Sequence, residues 1–152
     1  MLPGTEDRVP LHTAPAINRR IRREMERTIA YYAQHPEDID LRLRELDHEW
    51  DIERALQANA AGLALAGTVL GVGLSRRWLV LPVLVTGFLL QHASQGWCPP
   101  LPLLRRLGFR TAGEIAEERY ALKALRGDFG AVASGGETGG ERAANALDAV
   151  RA

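Results

Sequence analysis

Charged residues are absent from two long stretches of this 152-residue sequence, Ala55–Ser75 and Trp78–Leu104. A helix of about twenty uncharged residues is about 30 Å long, which matches the hydrocarbon core of a bilayer. The two stretches are separated only by Arg76 and Arg77. The pattern therefore predicts a hairpin of two transmembrane helices over residues 55–97, joined by a very short basic turn.

The first predicted span is rich in small residues. Gly62, Ala66, Gly67 and Gly71 have the spacing that lets helix backbones approach closely in lipid, and the last two form a GxxxG motif. Glycine costs about 1 kcal/mol in a soluble helix relative to alanine. We therefore expect these four residues to form a helix-packing face, used in a homodimer or with another membrane protein.

Aromatic and basic residues mark the limits of the second span. Trp78 and Trp97 bracket it, as aromatic side chains do at the two surfaces of a bilayer. Arg105 and Arg106 follow it and are expected to face lipid phosphates, so all four residues are predicted interfacial anchors. Pro82 either kinks this helix or lies harmlessly in its first turn. The arginines that flank the spans outnumber the two in the turn, which predicts both termini in the cytoplasm.

The residues before the hairpin predict a tail and amphipathic helices. Residues 1–15 are polar and punctuated by proline, so we expect them to be disordered. Residues 16–54 predict helices, of which the first carries many arginines. That helix either lies on an anionic membrane surface or packs against a neighbouring helix. No glycine or proline lies between Glu37 and Ala61, so the second helix is able to run without a break into the first span.

The residues after the hairpin predict a similar arrangement. Residues 98–126 predict an interfacial segment and an amphipathic helix, which begins with the capping-box sequence Thr111–Glu114. Residues 127–152 are rich in glycine and predict a flexible tail, in which 141–151 form at most a weak helix. The predicted fold class is all-α: a two-helix transmembrane hairpin with flanking amphipathic helices and disordered tails.

The composition argues against several functions. Basic and acidic residues both number 19, so the chain lacks the basic excess that nucleic-acid binding requires. It has no catalytic Ser-His-Asp order, no carboxylate pair and no phosphate-binding glycine loop. His48, His92 and Cys98 do not have the spacing of metal ligands. We therefore predict no enzyme activity, no cofactor and no metal, and expect His92 to bond to Gln57 or Asn59.

Cys98 is the one cysteine and is a candidate redox thiol. In one interpretation Arg105 or Arg106 activates its thiolate for a redox or sulfur-carrying role. In the other, which the residues themselves favour, Cys98 is a small buried side chain at the end of a helix.

The chain also resembles a family. Its Glu53-Arg54 pair, Gly62, short turn and terminal Gly96-Trp97-Cys98-Pro99 sequence are similar to the YgaP-like two-span inner membrane domain of bacteria, largely a domain of unknown function. The resemblance covers about Trp50–Phe129. It implies a bacterial inner-membrane location, dimerisation and a sulfur-related context for Cys98. Sulfurtransferase activity is not implied, because the rhodanese domain sometimes fused in the family does not precede the hairpin here.

Three functions are consistent with these features. The favoured one is a non-enzymatic integral membrane protein, a helix-packing or oligomerising module. The second is a membrane-bound sulfur-relay or redox accessory protein that uses Cys98. The third is a soluble helical scaffold, since a purely apolar run of ten to fourteen residues also occurs in core helices. The matched lengths of the two stretches, the basic turn and the bracketing tryptophans favour the membrane interpretation.

Overall fold

The computed structural model describes residues 8–135 and 138–151, and it confirms the predicted all-α class. The chain is 84% helical and has no strand in these ranges. The α-helices of the described ranges are α1 (Pro15–Gln34), α2 (Ile39–His48), α3 (Ile52–Gly73), α4 (Val80–Gln95), α5 (Leu101–Leu107), α6 (Ala112–Arg126), α7 (Gly130–Ser134) and α8 (Gly139–Arg151). Short 3-10 helices occur at Pro10–His12, Pro36–Asp38 and Arg76–Leu79.

The chain forms two compact units with opposite charge. Unit 1 comprises residues 1–23 and 50–115, and unit 2 comprises residues 24–49 and 116–152. Unit 1 has 11 arginines against five acidic residues, a net charge of +6, whereas unit 2 has eight basic against 14 acidic residues, a net charge of −6. The zero net charge of the whole chain therefore conceals a basic unit that contains both uncharged stretches.

Helices α3 and α4 pack against each other as a hairpin within unit 1. Helix α3 begins at Ile52 because Asp51 caps it, its Oδ1 accepting from the Arg54 N–H at 2.7 Å. Pro82 lies in the first turn of α4, where its missing N–H does no harm. This is the second of the two predictions made for it. Helix α4 ends at Gly96, which has a left-handed φ of 73° and a hypothetical Cβ 2.6 Å from the Arg8 Cβ. Only glycine fits there.

Two helical stretches are long and apolar enough to cross a membrane. One lies within Pro36–Gly73, which contains α3, and the other is Arg76–Gln95, which contains α4. Of an 18-residue apolar window in each, only 22% and 6% of the residues are buried. A core helix of a soluble protein with this composition would be mostly buried. Large apolar side chains are exposed along both helices: Leu63, Leu65, Val69, Val72, Val83, Leu84, Phe88 and Leu90.

The core of unit 1 lies at the base of the hairpin, the end opposite the turn, where α3 begins and α4 ends. Its buried members are Val9, Ile52, Leu56, Cys98, Leu101 and Leu104, with Leu89 and Phe109 packed against them. The Ile52 N–H donates to the Arg110 carbonyl oxygen at 2.8 Å, which joins the start of α3 to the segment after α5. Residues from before, within and after the hairpin therefore close its base.

The N-terminal segment differs from the predicted disordered tail from Arg8 onward. Val9 is fully buried in the core of unit 1, and the Thr13 hydroxyl donates to the Val9 carbonyl oxygen at 2.8 Å. Local composition did not reveal this contact, because the partners of Val9 lie far along the chain. Residues 1–7, 136–137 and 152 of the two predicted tails lie outside the described residues.

Helices α7 and α8 occupy most of the predicted flexible C-terminal tail. Helix α8 begins with a capping box in which Glu141 Oε2 accepts from the Thr138 N–H at 3.0 Å and Thr138 Oγ1 accepts from the Glu141 N–H at 3.2 Å. The spacing of Thr138 and Glu141 in the sequence is that of a capping box, although glycines surround it.

Helix α2 does not run into the first span as predicted. It ends at His48, and Asp51 caps the start of the separate helix α3. No glycine or proline lies between the two helices. Trp50 lies between the two helices and stacks under the Arg54 guanidinium, 4.5 Å from the ring centroid. Extended backbone at Glu49 ends α2, and the Asp51 cap begins α3.

Candidate functional site

The four predicted packing residues do not share one face of α3. Gly67 and Gly71 are buried: a Cβ at Gly67 would lie 2.7 Å from Pro82 Cδ, and one at Gly71 would lie 2.5 Å from Leu79 Cδ2. Gly62 and Ala66 are exposed. The GxxxG motif therefore packs α3 against the helix of its own hairpin.

Replacing Gly67 by alanine is expected to destabilise the hairpin by roughly 1–3 kcal/mol, because the added Cβ overpacks a contact with the rigid ring of Pro82. The matched control is Gly62→Ala on the same helix, where nothing lies within 4 Å of the new Cβ. Titration of the purified chain with dodecyl sulfate, followed by circular dichroism, measures both variants. Equal stability of the two variants would contradict the assigned contact.

A buried acid–imidazole pair joins α3 and α4 at the base of the hairpin. His92 Nε2 donates to Glu53 Oε2 at 3.2 Å, and the side chains are 4% and 22% exposed. The predicted partners of His92 are therefore wrong. Asn59 Nδ2 donates instead to the Ala55 carbonyl oxygen of its own helix at 2.8 Å, and Gln57 is exposed. A carboxylate is a stronger acceptor than an amide oxygen, and Glu53 lies just before the uncharged stretch, one turn before Gln57.

The other polar atom of each partner is also buried. His92 Nδ1 and Glu53 Oε1 have no hydrogen-bond partner among the described residues. Buried polar atoms without a partner are uncommon and costly. The stability of this pair therefore depends on the single contact between the two side chains.

Cys98 lies in the core of unit 1 and is 1% exposed. Burial raises the pKa of the Cys98 thiol, the Leu101 N–H opposes this increase, and the charge of Glu53 adds to it. The predicted activation by Arg105 or Arg106 is wrong, because neither arginine lowers the pKa of the thiol. The structure thus agrees with the alternative of a small buried residue after the end of a helix.

Arg105 is fully buried and does not face solvent. Its guanidinium donates to both carboxylate oxygens of Glu114 at 2.7 and 2.8 Å, to Asn18 Oδ1 at 2.9 Å and to the Phe109 carbonyl oxygen at 3.1 Å. The prediction of Arg105 as an interfacial anchor is therefore wrong. We call this group the Arg105 clamp, since Arg105 connects α1, α5 and the start of α6.

The predicted capping box at the start of α6 is confirmed and forms part of the clamp. Glu114 Oε2 accepts from the Thr111 N–H at 2.8 Å, and Thr111 Oγ1 accepts from the Glu114 N–H at 3.1 Å. Burial alone would raise the pKa of Glu114, but the hydrogen bonds from Arg105 and Thr111 hold it below its usual value.

The other predicted anchors are accessible. Trp78 and Trp97 flank α4 and are 46% and 36% exposed. Arg106 is exposed in the last turn of α5, and its carbonyl oxygen accepts from Arg20 Nη2 at 2.9 Å. Two arginines therefore meet beside the base of the hairpin, while the anchoring role of these residues stays a prediction.

An apolar groove of about 280 Å³ lies at the base of the hairpin. Its walls come from residues 56–63 of α3, residues 85–89 of α4, and residues 98–104. Leu63, Phe88 and Leu103 line it and are 52%, 43% and 60% exposed, so the groove opens toward the outside. The side-chain amide of Asn59, which also lines it, already donates to its own helix.

Comparison with known proteins gives no match to a family model, to a curated protein or to a solved structure. The relation to the YgaP-like family therefore stays a prediction. In the part of the chain that the structure describes, no three His, Cys, Asp or Glu side chains come together as metal ligands. The features that define this site are the exposed apolar hairpin, the Glu53–His92 pair, the buried thiol and the apolar groove.

Proposed function

We propose that the chain is a non-enzymatic integral membrane protein whose α3–α4 hairpin crosses the bilayer and packs helices there. The low burial of the two apolar helices, 22% and 6%, carries this proposal. In water the same helices would expose many large apolar side chains, and large apolar patches are rare on soluble monomers. A soluble scaffold is therefore the less favourable interpretation.

The distribution of arginines supports an orientation with both termini in the cytoplasm of a bacterial inner membrane. Nine of the 11 arginines of unit 1 lie in segments that lead to or from the base of the hairpin, and only Arg76 and Arg77 lie in the turn. Basic residues near the ends of spans favour the cytoplasmic side. The base of the hairpin would then lie at the cytoplasmic surface.

Self-association or binding of a membrane partner would use the exposed residues Gly62 and Ala66. Gly67 and Gly71 are already packed within the hairpin, so substitutions there would disturb the hairpin before they disturb a dimer. No observation favours the sulfur-relay alternative, since burial of Cys98 disfavours its thiolate.

Alkaline carbonate extraction of cell membranes tests the proposal. The wild-type chain is expected to stay in the membrane pellet. Leu65→Arg places a charge near the middle of α3, at a site 67% exposed, and costs about 2.5–3.5 kcal/mol in a bilayer. We therefore expect a clear shift of this variant into the supernatant.

The control is Leu147→Arg, the same change at a site 52% exposed on α8. It should behave like the wild type, because α8 is not a candidate span. Release of the wild type by carbonate, or equal tolerance of both arginines, would rule out a membrane-spanning hairpin.

A further inference from the structure

We propose that the groove at the base of the hairpin binds one acyl chain of an anionic phospholipid, whose phosphate contacts Arg106. This inference rests on the proposed membrane function and names a ligand for the same region. The groove is apolar, opens outward and lies between the two spans. In a bilayer its opening faces acyl chains, the molecules present there at highest concentration.

The size and chemistry of the groove fit part of an acyl chain. Its volume of about 280 Å³ is close to twice that of an engineered apolar cavity of about 150 Å³, which stays dry and takes up benzene. Asn59 Nδ2 donates to the Ala55 carbonyl oxygen of its own helix, and burial raises the pKa of the Cys98 thiol and so disfavours a charged thiolate in the wall. The walls therefore select an apolar guest.

The two helices leave room for a guest only near the base of the hairpin. Near the turn, Gly67 and Gly71 bring α3 into close contact with the residues of the second helix, so no guest fits there. Ala60 and Leu63 line the groove at the other end of α3. Leu56 and Leu63 are seven positions apart on the helix, which gives the groove a length of about 10 Å along the span.

The basic residues beside the groove specify the headgroup. Leu103 lines its outer wall, and Arg106 follows three residues later, so both lie on one face of α5. The Arg20 guanidinium donates to the Arg106 carbonyl oxygen and adds a second positive charge there. Guanidinium groups match phosphate oxygens in geometry and charge. A lipid with its phosphate at Arg106 would direct its chain into the groove, toward the bilayer interior.

The net charge of +6 on unit 1 agrees with an anionic rather than a zwitterionic lipid. One basic group near a membrane surface changes binding to anionic lipid by about fivefold. Loss of the Arg106 charge should therefore measurably reduce the preference for anionic over zwitterionic lipid. It should not displace the hairpin from the membrane.

The test uses the full chain in nanodiscs that contain equal amounts of phosphatidylglycerol and phosphatidylcholine, followed by native mass spectrometry of the released protein. We expect one retained phosphatidylglycerol per chain, at about fivefold or greater preference. Arg106→Gln should lower this preference about fivefold. Arg76→Gln, the matched change in the turn, should leave it unchanged.

A second pair of variants tests the groove itself. Ala60→Trp fills the groove and should abolish lipid retention, whereas Ala58→Trp, at an exposed site on the same helix, should retain it. Retention of lipid by Ala60→Trp, or an unchanged preference in Arg106→Gln, would overturn the proposal. A wild type that carries no lipid, or a second copy of the chain in its place, would also overturn it. Carbonate extraction of the same variants separates this failure from a failure of membrane insertion.

Discussion

Replacing Glu114 by alanine is expected to lower the free energy of unfolding of unit 1 by about 3–5 kcal/mol. Arg105 is fully buried, and the substitution leaves its guanidinium without the carboxylate that balances its charge. Removal of one partner from a buried ion pair costs more than the pair contributes, because a charge then remains in an apolar surrounding. This loss is the largest that we expect from a single substitution in the chain.

Unfolding by urea in mild detergent, followed by tryptophan fluorescence, measures this effect. All three tryptophans of the chain lie in unit 1, so the signal reports on that unit. Glu114→Gln should retain the capping hydrogen bond and recover about 1 kcal/mol. The matched control is Glu117→Ala, an exposed position three residues further along α6. Equal stability of Glu114→Ala and Glu117→Ala would contradict the clamp.

Replacement of both charged partners separates charge from packing. The double variant Arg105→Met, Glu114→Leu removes the buried charge together with its partner. Apolar replacement of a whole buried pair is often neutral or stabilising. The double variant is therefore expected to be more stable than Glu114→Ala. A larger loss in the double variant would mean that the contacts of Arg105 with Asn18 and Phe109 matter more than the ion pair.

The clamp also predicts a dependence of stability on pH. The pKa of Glu114 in the folded chain lies below its usual value of 4.5, so protonation favours the unfolded chain. The stabilisation is fully present above about pH 4.5 and is lost as the pH falls through the folded pKa. Glu114→Gln has no carboxyl group to titrate and should lose less stability over this range. An identical acid dependence in both proteins would contradict the assignment.

Replacing His92 by phenylalanine is expected to lower the free energy needed to open the base of the hairpin by about 2–3 kcal/mol. Glu53 would lose the one hydrogen bond that its side chain makes among the described residues. Its Oε2 bonds to His92, and its Oε1 has no partner there even in the wild type. The expected loss is smaller than that for Glu114 because Glu53 is 22% exposed and remains partly hydrated.

The alkylation rate of Cys98 measures how often the base of the hairpin opens. Cys98 is 1% exposed in the same base, so its alkylation by a maleimide requires the base to open. A loss of 2–3 kcal/mol corresponds to alkylation about 30- to 150-fold faster. Gln57→Leu, at an exposed site on the same helix as Glu53, should leave the rate unchanged. Similar rates in His92→Phe and the wild type would show that the pair does not hold the base closed.

The sequence predicted the features that depend on local pattern. Two uncharged stretches around Arg76 and Arg77 indicated a helical hairpin, and the spacing of Thr111 and Glu114 indicated a helix start that the structure confirms. Each of these signals lies within a few residues of the structure it describes. Local physical chemistry was therefore sufficient for the fold class, for the helical hairpin and for the start of α6.

The features that were missed depend on contacts between distant residues. His92 and Glu53 are 39 positions apart, and Arg105 and Asn18 are 87 apart. An arginine after a span has the same local pattern whether it faces phosphate or a buried carboxylate. The GxxxG motif has the same ambiguity, since close packing of Gly67 is physically identical within one hairpin and between two. Only the tertiary structure distinguishes these cases.

The position of Val9 in the core has a consequence for synthesis of the protein. Val9 and Glu114 are 105 residues apart, so at about 5–20 residues per second a ribosome needs roughly 5–20 s to make everything that unit 1 requires. Both helices of the hairpin are complete before that time. Closure of the base of the hairpin is therefore a later step in the formation of unit 1 than synthesis of the two hairpin helices.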